Sequence, residues 1–155
     1  MIARELMQTD VPTLSPEDSL KKAAELLTRY ENSTVAVLNE EGGIVGMVGE
    51  NDMLAIAIPT SASGIEQLSY LPRCYGLRNL SDDKLRDVTV ETIMRTDDIV
   101  TVKEDELIAQ VALLIMRHHQ PQVFVVSDGK YVGRVGRKHI LSEVVDPHLG
   151  VACHP

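Results

Sequence analysis

Aromatic residues are nearly missing from this chain. There is no Trp, one Phe and four Tyr, so a folded core has to be aliphatic. Cations are outnumbered: 15 Lys and Arg stand against 23 Asp and Glu, for a net charge of −8. Nucleic-acid binding needs clustered cations, and so does adhesion to an anionic membrane surface; neither is expected here. Long apolar runs are absent too. The longest, 53–58 and 111–116, are far too short to cross a bilayer. The opening Met-Ile-Ala-Arg-Glu-Leu has no signal-peptide stretch, so a cytoplasmic location is expected. The two cysteines, Cys74 and Cys153, form no spacing motif and read as reduced thiols. A nucleophile elbow, a Walker loop and an HExxH motif are all missing, and no nucleophile has a nearby base, so catalysis is not expected. His118 and His119 are adjacent on a helix and point to different faces, which makes them poor joint metal ligands; a helix C-terminus explains them. His148, Cys153 and His154 fall on a chain end, where fraying works against a metal site. No metal and no required cofactor are expected.

What is present is a core-forming composition and a repeat. Apolar residues make up 44% of 155, enough for one domain or two small fused units. Val45-Gly46-Met47-Val48-Gly49-Glu50-Asn51-Asp52-Met53-Leu54 returns as Val132-Gly133-Arg134-Val135-Gly136-Arg137-Lys138-His139-Ile140-Leu141, a shift of 132 − 45 = 87. Each copy reads as a buried strand, a glycine turn and a helix N-terminus. Two copies of one such unit predict a pseudo-twofold module with a cleft where they meet.

The preceding segments repeat in the same order. Residues 2–7 and 90–94 read as short helical turns, with Met7 and Met94 again 87 apart. Val11-Pro12-Thr13-Leu14 reads as extended, since Pro12 pushes the residue before it toward β; Ile99-Val100-Thr101-Val102 is its counterpart. Ser15-Pro16-Glu17-Asp18 reads as a helix start, with Ser15 as cap, Pro16 at the first helical position and Asp18 at capping-box spacing. Leu20, Ala23, Ala24 and Leu27 then share one helix face. The second helix, 107–116, is apolar nearly all round, which predicts burial, part of it against another subunit. Strand, polar turn and return strand follow at 35–48 and again at 123–135, and Asn51-Asp52 and His139 open the last helices. The final helix is expected to stop at Pro147 and Gly150. The expected divisions are a first repeat over 1–58, an insert over 59–87, a second repeat over 88–146 and a tail over 147–155. The insert carries Tyr70 and Tyr75 and reads either as an outside linker or as a lid or partner surface.

This ordered series, found twice, resembles a CBS-domain pair, the module named after cystathionine β-synthase. The resemblance rests on Arg4-Glu5-Leu6-Met7 and Glu91-Thr92-Ile93-Met94, on the strand threonines Thr13 and Thr101, and on Val35-Ala36-Val37-Leu38-Asn39 with Gly42 and Val123-Phe124-Val125-Val126-Ser127 with Gly129. The two strand-turn-helix copies above complete it. It covers both repeats and leaves out the insert and tail. It implies an α/β (α+β) fold of two tandem β-α-β-β-α repeats packed through their sheets into a Bateman-type disc with two clefts, with discs pairing as homodimers through helices. It implies a non-catalytic regulatory module that binds an adenosine-containing ligand of the AMP, ADP, ATP or S-adenosylmethionine type and modulates a partner protein. The alternative is a structural interaction module with degenerate clefts.

The family's binding signature is Gly, two apolar residues, Thr or Ser, two variable residues and Asp. Here Gly49 and Gly136 replace the hydroxyl, and only the first copy keeps the acid, as Asp52, with His139 in its place in the second. A carboxylate can accept from both ribose hydroxyls; a helix N-cap role explains Asp52 equally well. The glycines still permit a phosphate to approach the backbone closely at a helix N-terminus. Glu50, beside Asn51, would repel a polyphosphate; Arg137 and Lys138, at the matching turn, would attract one or simply be solvated. His139 cannot accept from two hydroxyls. Val35, Ala36, Val123 and Phe124 lie on the strands that line the clefts in the family; Phe124 is bulky where Ala36 is small and fills the second cleft in this reading. One occupied site per chain, near Asp52, is the resulting expectation.

Overall fold

The computed structural model describes residues 1–30, 34–57 and 82–145. The chain opens with a single helical turn, α1 (Ala3–Leu6), whose Glu5 carboxylate accepts from the backbone N–H of Ile2 at 2.8 Å. Helix α2 (Leu20–Arg29) follows, then the hairpin β1 (Thr34–Leu38) and β2 (Ile44–Gly49), and helix α3 (Glu50–Ala57). A short helix α4 (Asp82–Asp87) leads into the second half: α5 (Val90–Ile93), β3 (Thr101–Lys103), α6 (Ile108–His118), β4 (Gln122–Ser127), β5 (Lys130–Gly136) and α7 (Arg137–Val145). Most of the expected insert, with Tyr70, Cys74 and Tyr75, lies outside the described residues, as do Pro147, Gly150 and the tail histidines and cysteine.

The fold is the α+β pair of repeats read from the sequence, with two local corrections. The first helix starts at Leu20, not Pro16, and its cap is Ser19, whose Oγ accepts from the Lys22 N–H at 3.2 Å. Residues 15–18 form a turn instead: Asp18 accepts from the Ser15 N–H at 2.7 Å. The reason is tertiary. The carbonyls of Pro16 and Asp18 accept from the N–H groups of Glu91 and Val90, at 3.0 and 2.8 Å, so Pro16 cannot serve a helical turn of its own. Second, the first half has a two-stranded sheet where the second has three strands, β3-β4-β5. Its missing edge strand is reduced to one parallel bridge, Leu14 to Val37: Leu14 donates to the Ala36 carbonyl and accepts from the Leu38 N–H, and the next donor position in the ladder is Pro16, which has no N–H.

Strands β1 and β4 are buried on both faces, which is why they read as unbroken apolar runs. Val35 and Val37 face a core made with Leu14, Ala23, Leu27, Val48 and Val90. Val123 and Val125 face the matching core with Val102, Val111, Ile115 and Val135. Between the sheets, Ala36, Met47 and Phe124 close the seam, with Phe124 edge-on to Tyr131 at a 6.0 Å centroid separation. Each core also takes in the opening turn of the opposite half. Ala3, Leu6 and Met7 pack in the second-half core, and Val90 packs in the first. The exchange has twofold-related hydrogen bonds: Gln8 bridges Arg134 and Arg95 bridges Met47, with 95 − 8 = 87 and 134 − 47 = 87. Neither half therefore closes its core alone.

Helix α6 buries Val111 and Ile115 but leaves Leu113 and Met116 exposed, Met116 by 66%. Burial all round is not met within one chain. On the neighbouring α7, Leu141, Val144 and Val145 are exposed as well.

A pair of candidate clefts flanking the seam

The pseudo-twofold axis passes near two buried polar residues. Thr34 and Gln122 start equivalent strands, since Thr34 pairs with Gly49 and Gln122 with Gly136. They meet directly: the Gln122 side-chain amide donates to the Thr34 carbonyl at 2.9 Å and contacts its Oγ1 at 2.7 Å. The other end of that amide, Oε1, accepts from Arg134 Nη1 at 2.6 Å. Arg134 then spends Nε and Nη2 on Gln8 Oε1, at 3.2 and 3.0 Å. The chain Thr34–Gln122–Arg134–Gln8 thus ties both sheets and the first opening segment together. A buried amide satisfied at both ends stabilises a seam that would otherwise strand polar groups.

One cleft lies on each side of this network. The larger, of about 560 Å³, is lined by Gln8, Tyr30, Gln122, Arg134 and the turn Gly136 to His139, with Glu50 and Pro121. The smaller, of about 230 Å³, is lined by Thr34, Gly49, Glu50, Asn51, Arg95, His119, Gln120 and Pro121. Glu50 and Pro121 belong to both, so the clefts share a wall. Each is built from the glycine turn of one half and the opening segment of the other.

The two turns use the same local device with different chemistry. Asp52 Oδ2 accepts from the Gly49 N–H at 2.7 Å; His139 Nδ1 accepts from the Gly136 N–H at 3.2 Å. Each satisfies an otherwise orphan donor where a strand becomes a helix. Asp52 Oδ2 also takes Arg95 Nε at 3.2 Å, an ion pair across the halves. In the second half, burial and the neighbouring Arg134 both hold the His139 imidazole below its ordinary pKa, which matches its role as an acceptor. Burial likewise pulls the Arg134 guanidinium down, with Tyr131 opposing. The Tyr131 hydroxyl is pushed up to about 12 by its own burial and stays neutral.

The sequence-derived residues fall into three groups. Gly49, Glu50 and Asn51 line the smaller cleft, beside Asp52; Gly136, Arg137, Lys138 and His139 line the larger one, which Glu50 joins from across the wall. Val35 and Val123 are core, at 1% and 0% exposure. Ala36 and Phe124 close the seam between the sheets, so Phe124 fills that seam rather than a cleft. Thr13 is half-buried beside the Leu14 bridge, and exposed Thr101 stands opposite Phe124 in the β3–β4 register.

Gln8, Arg95, Gln122 and Arg134 were not singled out by the signature. Two clues to them were present. Gln8 and Arg95 directly follow the repeated methionines Met7 and Met94. Arg134 puts a charge into a strand where the other copy has Met47. His119 ends α6 in the left-handed conformation, φ 52°, as a helix stop.

A family model for the CBS domain matches twice, over residues 3–58 and 90–146. The chain belongs to the CBS domain family. Solved structures agree on the fold of this CBS pair. A CBS domain-containing protein of unknown function from Kribbella flavida is similar over 96% of this chain and 100% of its own, with a TM-score of 0.77 and 23% identity. Another, from Bacillus anthracis, matches over 96% and 94% with a TM-score of 0.70 and 20% identity. CBSX2, solved in complex with AMP, matches over 94% and 97% with a TM-score of 0.70 and 19% identity. No curated protein matches the chain. Among the described residues, no helix is long and apolar enough to cross a membrane.

Proposed function

We propose that this CBS pair is a non-catalytic sensor that binds an adenosine-containing ligand in the clefts between its halves and modulates a partner protein. The observation that carries the reading is how the clefts are built. Each has walls from both halves, so a bound ligand would change how the opening segments and glycine turns sit against each other. It can shift that arrangement only by binding one state better than another. CBSX2, bound to AMP, offers a precedent for the ligand class on the same fold.

The signature residues alone favour the cleft beside Asp52. Size and charge favour the other. A small-molecule pocket usually encloses about 300–1,000 Å³; the His139 cleft, at about 560 Å³, falls in that range and the Asp52 cleft, at about 230 Å³, falls below it. The Asp52 carboxylate is also engaged by Arg95, which a ribose would have to share or displace. Calorimetric titration with AMP, ADP, ATP and S-adenosylmethionine tests the proposal. Heat with at least one of them supports it; no heat with any at millimolar ligand ends the adenosine claim. Asp52→Ala and His139→Ala then report which cleft is used.

A second reading has its own observation. Leu113 and Met116 on α6 and Leu141, Val144 and Val145 on α7 expose apolar surface on adjacent helices. We infer a homodimer through this face, which serves equally a sensor or a ligand-free interaction module. Sedimentation should show a dimer that Met116→Lys weakens; a monomer at high micromolar concentration would remove this interface.

A further inference from the structure

We infer that the larger cleft reads a multiply charged phosphate chain, and not the sugar of a nucleotide, with Arg134, Arg137 and Lys138 as the recognising cations. This deepens the sensor reading and rests on it for the adenosine part of the ligand, though not for the phosphate part.

The twofold-related positions of the two halves differ in charge. Where the first half has Met47, Glu50, Asn51 and Asp52, the second has Arg134, Arg137, Lys138 and His139. Each of the four changes moves the local charge toward positive. They do so in a chain of net charge −8, where cations are scarce. Three of the changes place Lys or Arg side chains on the wall of one cleft of about 560 Å³.

Arg134 is the telling member. Its guanidinium is held by neutral amide oxygens, Gln8 Oε1 and Gln122 Oε1, at 2.6 to 3.2 Å. Arg95 on the other side is paired with Asp52, whereas among the described residues Arg134 has no carboxylate partner. A partly buried cation fixed in place without a counter-charge gains most from an anion that arrives with a ligand. The fork geometry of Arg suits phosphate oxygens, and Lys adds a point charge. Arg137 and Lys138 also begin α7, where the helix N-terminus favours negative charge.

The sugar-reading group is missing on this side. His139 Nδ1 already accepts from Gly136, so the neutral ring is left with an Nε2–H donor. A donor suits an anionic oxygen and not a pair of ribose hydroxyls. Glu50 is the acid on this wall, and its charge works against an incoming anion.

The experiment is calorimetric titration of the full chain with adenosine, AMP, ATP and inorganic triphosphate. ATP should bind at least about tenfold more tightly than AMP, the worth of one further charge-assisted contact. Inorganic triphosphate should compete with ATP. Arg137→Glu and Lys138→Asn install the residues of the other half at exposed positions, and each should reduce the ATP-over-AMP ratio. Arg134→Met should remove it, with a thermal melt confirming the folded state. Equal affinity for ATP and AMP, or a ratio that survives Arg137→Glu, overturns the phosphate-chain proposal and leaves the adenosine sensor standing. Triphosphate binding that depends on Arg137, with no response to any adenosine compound, does the reverse. No binding by any of the four ends both.

Discussion

The two halves of this CBS pair fold alike and are wired differently. Gly46 and Gly133 make the point. Both sit where the opening segment of the other half crosses a strand at close range. A Cβ on Gly46 would meet Met94 Sδ at 2.6 Å and the Arg95 carbonyl at 3.1 Å. A Cβ on Gly133 would meet the Gln8 carbonyl at 2.6 Å, with Met7 Sδ at 3.2 Å. A thioether can swing away, whereas that carbonyl is held by the Arg134 N–H at 3.0 Å. A repeated glycine can thus be required for one reason, close backbone approach, and yet tolerate change unequally. Gly133→Ala should cost about 2–3 kcal/mol and Gly46→Ala about 1 kcal/mol, within the range for overpacking. Urea denaturation of the two variants checks this, and equal losses would show that the crossings are equivalent after all.

The seam sharpens the same comparison. Its twofold-related residues, Thr34 and Gln122, are chemically unlike, and the longer one does most of the bonding. Gln122→Ala removes donors to Thr34 and the acceptor for Arg134, leaving buried groups unsatisfied. Such a loss costs about 1–3 kcal/mol. Thr34→Val removes one hydroxyl contact and keeps the carbonyl, so its cost should be the smaller of the two in the same denaturation series.

Much of this was legible in the sequence. The repeat, the hairpins and the strands were plain because Val35–Leu38 and Val123–Val126 are apolar throughout, as strands covered on both faces must be. The helix expected over 107–116 from its apolar pattern is found at Ile108–His118. What escaped were features that depend on exchange between the halves. Ser15 to Asp18 carries good helix-start residues, yet Glu91 and Val90 take the carbonyls that a helix there would use. Local propensity could not register a partner some 70 residues away, and tertiary hydrogen bonds decided the start of α2. The clefts were half legible for the same reason. Signature matching finds the glycine turn that supplies one wall, but the facing wall comes from Gln8 or Arg95, which no local pattern ties to that turn. The size of Phe124 is visible in the sequence, but the direction of its side chain is not. It points into the seam with Met47 and Tyr131.

The two cap residues offer a weaker contrast. Asp52 serves both the Gly49 N–H and Arg95; His139 serves only the Gly136 N–H, and at longer range. Losing a cap costs about 0.5–2 kcal/mol, and a partly exposed ion pair adds less than about 1 kcal/mol. Asp52→Ala should therefore destabilise more than His139→Ala, by about 1 kcal/mol in thermal or urea unfolding. If His139→Ala proves the costlier, the imidazole has a packing role that its hydrogen bond does not reveal.

The smallest expected effect is the pH dependence that His139 brings to the second half. Its folded pKa lies below the ordinary value of 6.5, with burial as the main cause and Arg134 as the second. As pH falls through about 6.5, the unfolded chain takes up the proton first, so stability declines. The contribution is full above that pH and is lost as pH falls from there toward the folded pKa. Protonation also removes the acceptor used by Gly136. The charges facing the ring are Arg134, Arg137 and Lys138, with Glu50 opposing them across the cleft. Three cations against one acid keep the sign unchanged. His139→Asn retains an acceptor for the Gly136 N–H and removes the titration. Wild type should thus lose more stability than this variant between pH 7.5 and pH 5.5, and adding Arg134→Met to the wild type should shrink its loss. Bound phosphate should oppose it, since an anion beside the ring favours the protonated form. An unchanged difference between wild type and His139→Asn across that range would place the imidazole in solvent, outside the electrostatics of the cleft.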